Sequence, residues 1–332
     1  MHAGSLPLLA VTLGDPAGIG PEIALKALME PRVTRACRVR LVGSVTALRR
    51  VAEALSLPLP APEMLYDTPV SARDGHAIRP GVLSAGAGRA AALAIEAAIQ
   101  GCQSGAFAAM VTCPINKLAI HRAGIPFPGH TEWLAARCGQ RDETMMLYHP
   151  RLAVALVTCH QPLMSVARSL SAGRIVVTAR AQHAALTRLR AKSRSRGGCA
   201  QAAPRLAVLG LNPHAGEDGL FGHEERVVVQ ALSQLRREGL DVSGPLPPDT
   251  AFTPASRRRY DGWVCMYHDQ GLIPFKALAF DQGVNVTLGL PIIRTSVDHG
   301  TAFDIAWQGV AEHESLVQAI LLSARLAGPA RA

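Results

Sequence analysis

The chain is short of lysine, of aromatic residues and of paired cysteines, and each shortage excludes something. Among 332 residues only four are Lys, while the other thirty of the 34 basic residues are Arg. Phe, Trp and Tyr together make up 4%. Nucleic-acid binders set stacking aromatics beside a clustered basic face. Here the arginines are spread along the chain, so the net charge of +9 reads as surface charge and recognition of small anions, with no nucleic-acid partner. The seven cysteines are scattered, and none forms a Cys-x-x-Cys pair. That excludes a disulfide framework and a cysteine zinc site, and it suits a reducing compartment. No apolar run reaches the ~18 residues of a membrane span, and the first thirteen residues lack the basic start of a signal peptide. A cytoplasmic protein with no membrane partner is expected.

What is present is a repeating α/β pattern. Short apolar runs over 8–13, 39–42, 108–112, 152–158, 206–211 and 262–266 read as strands. Longer Ala- and Leu-rich stretches over 21–29, 45–55, 86–100, 131–138, 171–191 and 224–238 read as helices. The runs 152–158 and 206–211 have no polar alternation, as in strands buried on both faces. Such alternation predicts largely parallel sheets. The basic stretch 191–204 reads as an inserted loop.

Four segments carry candidate chemistry. The first is Gly14-Asp-Pro-Ala-Gly18-Ile-Gly20-Pro21-Glu22, between a strand and a helix. It lacks the Gly-x-Gly-x-x-Gly spacing of a dinucleotide fingerprint and is also explained by a tight turn. The second is Gly129-His130-Thr131-Glu132, where Thr131 suits a helix N-cap and His130 a bound anion. The third is a set of histidines, His160, His214 and His268, each just past a predicted strand. Ligands of parallel sheets bind at the carboxyl ends of strands. Three imidazoles there suit a divalent metal with coordination positions left open. The fourth is the stretch 267–304, with Lys276, Asn285 and Arg294 suited to phosphate or carboxylate.

Taken together, these segments resemble the 4-hydroxythreonine-4-phosphate dehydrogenase family of pyridoxal phosphate biosynthesis. The match rests on residues 14–22, 124–132, 211–217, 244–252, 267–276 and 285–302, in family order over nearly the whole chain. The resemblance implies metal-dependent, NAD- or NADP-linked oxidation of 4-phosphooxy-L-threonine at C3, followed by decarboxylation to 3-amino-2-oxopropyl phosphate. It implies one divalent ion (Zn, Mg or Co) on His160, His214 and His268, shared between the subunits of a homodimer. It assigns substrate contacts to His130, Thr131, Lys276, Asn285 and Arg294. The family's fold is similar to isocitrate and isopropylmalate dehydrogenases: two α/β domains with largely parallel sheets and an active-site cleft between them. An outer domain of 1–128 with 286–332 and a central domain of 129–285, carrying the metal ligands and the dimer interface, are expected. The segment from His299 through Gly300 to Asp304 resembles the adenine-side loop of those enzymes, with Phe303 and Trp307 as departures. Asp249 and Asp269 are candidates for proton transfer or for orienting metal ligands. Competing readings are a dehydrogenase of D-threonate or D-erythronate 4-phosphate, a phosphate acyltransferase-like enzyme and an RNA-binding module.

Overall fold

The computed structural model describes residues 6–127, 129–194, 203–279 and 282–328. Of the loop expected over 191–204, residues 191–194 instead continue a helix that ends at Arg194, and 195–202 lie outside the described residues. In chain order the strands are β1 (Leu8–Thr12), β2 (Arg38–Gly43), β3 (Leu65–Asp67), β4 (Ala109–Thr112), β5 (Thr144–His149), β6 (Leu152–Leu156), β7 (Leu206–Leu209), β8 (Val242–Leu246), β9 (Gly262–Cys265), β10 (Val284–Leu288) and β11 (Arg294–Ser296). The helices are α1 (Gly20–Leu28), α2 (Pro31–Ala36), α3 (Val45–Ala54), α4 (Ala72–Ala77), α5 (Ala85–Gln103), α6 (Lys117–Arg122), α7 (His130–Arg137), α8 (Leu163–Ser169), α9 (Ala172–Arg194), α10 (Glu225–Arg237), α11 (Pro254–Arg259), α12 (His268–Ala279) and α13 (Glu314–Ala327). No described helix is long and apolar enough to cross a membrane.

The chain divides into two compact units, 1–141 with 290–332 and 142–289. Segment 129–141, expected in the central domain, belongs to the first unit. Its helix α7 is anchored there: Trp133 is buried in the same apolar cluster as Ile95, Ile99 and Met110. The indole Nε1–H also donates to Glu96 on α5 at 2.7 Å. Segment 286–289 falls in the second unit, because it completes β10.

The first unit holds a parallel sheet in the order β3-β2-β1-β4-β11. Its central strands β1 and β4 are mostly apolar and buried at every position but Leu8, and α5 and α13 pack against them. Ser84 caps α5 by accepting the Ala87 amide at 3.1 Å, which sets where this Ala-rich helix starts.

The second unit holds a mixed sheet in the order β10-β5-β6-β9-β7-β8. From β6 to β8 it is parallel, whereas β10, β5 and β6 run antiparallel. The hairpin between β5 and β6 has Pro150 and Arg151 as its two-residue loop, because His149 pairs with Leu152. The imidazole of His149 closes this turn by accepting the Arg151 N–H at 3.2 Å through Nδ1. As composition required, β6 is buried at every position.

Candidate functional site

The glycine-rich segment after β1 is chiefly architectural. Gly14 has φ of +65°, and a Cβ there would lie 2.3 Å from the Pro114 carbonyl oxygen. At Gly20 a Cβ would lie 2.1 Å from the Leu13 oxygen. Only glycine tolerates both demands. Glu22 is fully buried, and its carboxylate takes the Lys26 ammonium at 2.8 Å and the Ala311 amide at 2.9 Å. Lys26 in turn donates to the carbonyls of Gly309 and Ala311. The Pro-Glu end of the motif therefore clamps the loop before α13. Asp15 is also buried: Oδ1 accepts the Ala17 amide at 2.9 Å, and Oδ2 has no partner among the described residues. Burial pushes this carboxyl up to about 6.

The same turn props the 299–304 loop. Ile19 donates its amide to the Thr301 carbonyl at 3.0 Å, and a Cβ on Gly18 would strike that oxygen at 2.7 Å. Trp307 stands at φ +62°, an outlier for so bulky a residue. Its indole Nε1–H donates to the Pro16 carbonyl at 3.0 Å, and the Arg50 guanidinium lies over the ring at 5.3 Å. These contacts hold a backbone conformation that local sterics disfavour. Asp304 is exposed in this loop, with its carbonyl accepting from Gln308.

A small cavity of about 160 Å³ opens in the first unit, lined by Thr112, Lys117, His130, Arg294, Ser296 and His299 among others. Arg294, on β11, is 4% exposed. Its Nη2 and Nε donate to Thr112 Oγ1 at 2.7 and 3.2 Å. Burial pulls its pKa down to about 10, which Glu132 partly opposes, so it stays cationic at neutral pH. His130 Nε2 is buried without a partner among the described residues. Burial first, and the neighbouring Arg294 second, hold this imidazole well below its ordinary pKa, so it is neutral. Helix α7 begins at His130 and not at 131. The extended Gly129 is its N-cap, with no side-chain cap, so Thr131 lies half-buried in the first turn instead of capping it. Of the loop residues read as cofactor contacts, His299 and Gly300 line this same cavity and Asp304 does not.

In the second unit, β6, β9 and β7 are parallel neighbours, and His160, His268 and His214 follow their carboxyl ends. The register pairs Leu156 with Cys265, so His160 and His268 leave side by side. Their rings stand 5.8 Å apart, centroid to centroid, at a cavity of about 570 Å³ that also includes Cys159, Tyr267 and Asp269. The Asp269 carboxylate lies 2.7 Å from His268 Nδ1. Such a contact fixes the tautomer and frees Nε2 for a ligand. Asp249 is exposed beyond β8, and its carboxylate has no partner among the described residues.

His214 is presented differently. Residues 214–218 all lie in the left-handed region, with φ of 51°, 53°, 79°, 40° and 53°. Four of the five are not glycine, and left-handed turns cost L-residues roughly 1–2 kcal/mol each. The anchor for this turn is Glu225, 8% exposed at the start of α10. Its Oε1 accepts the amides of Leu211 and Asn212 at 2.9 and 2.7 Å, and Oε2 accepts Asn212 Nδ2 at 3.0 Å. Gln270 ties the neighbouring strand ends: Oε1 accepts the Met266 amide at 2.7 Å, while Nε2 donates to the Gly210 carbonyl at 2.8 Å. Sequence reasoning missed both residues, because nothing local marks a carboxylate or amide as a loop anchor. His214 packs against Phe221, 6.0 Å between centroids. Among the described residues of one chain, no three His, Cys, Asp or Glu side chains gather as a metal site. Lys276 sits half-buried on α12, and Asn285 on β10, paired in register with Leu147.

A buried arginine beside a neutral histidine, and a histidine pair backed by a carboxylate, define an α/β protein equipped for a small anionic ligand. The family model for "Pyridoxal phosphate biosynthetic protein PdxA" matches residues 35–323. The chain belongs to that family. It is 43% identical to 4-hydroxythreonine-4-phosphate dehydrogenase of Desulforapulum autotrophicum, over 96% of this chain and 95% of the relative. It is also 43% identical to D-threonate 4-phosphate dehydrogenase of Cupriavidus necator, over 97% and 98%. The crystal structure of 4-hydroxythreonine-4-phosphate dehydrogenase from Klebsiella pneumoniae superposes with a TM-score of 0.83 at 42% identity, covering 97% of this chain and all of that one.

Proposed function

We propose that the chain oxidises 4-phosphooxy-L-threonine at C3 with NAD or NADP, giving 2-amino-3-oxo-4-phosphooxybutanoate, which loses CO2 to form 3-amino-2-oxopropyl phosphate. The observation that carries this reading is the near-complete match to relatives of that activity. The Arg294–His130 cavity supports it. In this reading His130, Thr131 and Arg294 hold charged groups of the substrate, as do Lys276 and Asn285. Remote binding energy of this kind orients the reacting carbon. His299, Gly300 and Asp304 belong to the cofactor side.

The donor set fits a divalent ion in part. His160 and His268 are adjacent, Asp269 orients His268, and His214 stands apart. In this reading the three histidines complete the site only when a second copy contributes. Exposed apolar residues near them, Leu163, Met164, Leu220 and Ile273, support such a homodimer. A bound Zn, Mg or Co ion would supply Lewis acidity, lowering the pKa of the C3 hydroxyl and stabilising negative charge there. Asp269 holds the proton on His268 Nδ1, and Asp249 is the second candidate for proton transfer.

Oxidation of D-threonate 4-phosphate is the second reading, favoured by equal identity to an enzyme of that name. NADH formation with 4-phosphooxy-L-threonine, D-threonate 4-phosphate and D-erythronate 4-phosphate separates the two. A kcat/KM highest for the first supports the proposal, and one highest for either hydroxy acid replaces it.

A further inference from the structure

The cavity around Arg294 contains a second cation with no assigned role. Lys117 opens α6, and among the described residues its ammonium has no hydrogen-bond or ion-pair partner. Its backbone is fixed on both sides. Asn116 Oδ1 accepts the Ala119 amide at 3.0 Å, which caps the helix, and the Pro114 carbonyl accepts the Asp15 amide at 2.9 Å. The side chain reaches across to Gly129, where a Cβ would lie 3.6 Å from Lys117 Cε and 3.1 Å from Glu132 Oε2, so a carboxylate also flanks this edge. The buried face of the same cavity presents Arg294, held by Thr112, and the unpartnered His130 Nε2.

We infer that Lys117 is a further substrate-binding residue, which with Arg294 neutralises the dianion of a phosphate monoester seated in this cavity. The inference rests on the proposed function and adds the phosphate-binding role of this cavity. A phosphate monoester carries about −1.5 to −2 at neutral pH. Glu132 offsets part of the Arg294 charge, so Arg294 alone does not balance a dianion. Lys117 supplies the second charge, and His130, neutral in this site, supplies a donor without adding charge. An exposed ammonium beside a buried guanidinium also lets the phosphate enter through a solvated cation before it reaches the dry one.

The test is calorimetric titration of inorganic phosphate into the full-length wild type, Lys117→Met, Lys117→Arg and Arg122→Met. Arg122 is exposed on the same helix and does not line the cavity, so it controls for net charge. Lys117→Met is expected to weaken phosphate binding roughly 10- to 100-fold, the range for a charge-assisted hydrogen bond. Lys117→Arg is expected to restore part of it, and Arg122→Met to leave it unchanged. With 4-phosphooxy-L-threonine the same loss should appear in KM, with kcat within a few-fold of wild type. Wild-type phosphate affinity in Lys117→Met, or an equal loss in Arg122→Met, would overturn the inference. If phosphate binding depends on Lys117 but the wild type turns over no phosphorylated hydroxy acid, the cavity's role stands and the proposed activity falls.

Discussion

The left-handed turn bearing His214 gives the sharpest stability prediction. Four non-glycine residues at positive φ store roughly 4–8 kcal/mol, an amount comparable to a domain's net stability. Something must hold them, and Glu225 is placed to do so, with three donors on one buried carboxylate. Glu225→Ala leaves the Leu211 and Asn212 amides without an acceptor, whereas Asn212 Nδ2 keeps Glu224 Oε2 at 2.8 Å. At ~1–3 kcal/mol for each of these two unmade bonds, with water recovering part at the half-buried Leu211 and Asn212, the loss is roughly 2–4 kcal/mol. Ala215→Gly acts in the opposite direction. It removes a Cβ at φ of 53° and should stabilise the fold by about 0.5–1 kcal/mol. Urea denaturation measures both. Cobalt titration followed by its visible absorption reads the placement of His214. Glu225→Ala should weaken that binding by about 10- to 100-fold, while Ala215→Gly preserves it. The reasoning fails if Glu225→Ala denatures at the wild-type midpoint with intact cobalt affinity, or if Ala215→Gly destabilises.

Three further outcomes are expected. Asp15 ionises near 3.8 when unfolded and near 6 when folded, so the unfolded chain binds fewer protons in between. Stability therefore falls as pH rises through that window, by up to about 3 kcal/mol. Asp15→Asn should remove this slope, seen by denaturation at about pH 4 and about pH 7, and an unchanged slope would contradict the burial argument. Lys276→Met should raise the KM for phosphorylated substrate at least tenfold through loss of a charged contact, and an unchanged kcat/KM would end that assignment. His214→Ala should lose bound metal and most turnover while gel filtration shows the wild-type elution volume. Full activity with tight metal in that variant would remove His214 from the site.

The parts of this molecule legible in its sequence are those whose cause is local or periodic. The unbroken apolar runs became β6 and β7 because strands buried on both faces admit no polar alternation. Histidines just beyond such runs could be placed at strand ends without coordinates. The β5–β6 hairpin escaped notice because Thr144–His149 mixes thioether, aromatic and polar side chains, and its pairing with Leu152–Leu156 and Val284–Leu288 makes it a strand. The start of α7 was misplaced by one residue because Thr131 is a better cap in isolation than Gly129, yet the helix forms from His130. No pattern in Leu-Asn-Pro-His-Ala-Gly-Glu-Asp announces five left-handed residues, since their stability comes from Glu225 on another helix. The cavity that unites Thr112, Lys117, His130 and Arg294 draws on residues up to 182 positions apart, as the Arg294–Thr112 bond shows.

The central claim is metal-dependent oxidation of 4-phosphooxy-L-threonine coupled to loss of its carboxylate. Its most direct measurement follows NADH formed and CO2 released in the same vessel, with metal-loaded and chelator-treated protein. The account predicts one CO2 for each NADH with the metal-loaded protein, neither product after chelation, and recovery of both when the divalent ion is returned. Undiminished NADH and CO2 after metal removal, or no NADH from this substrate under any metal condition, would contradict it.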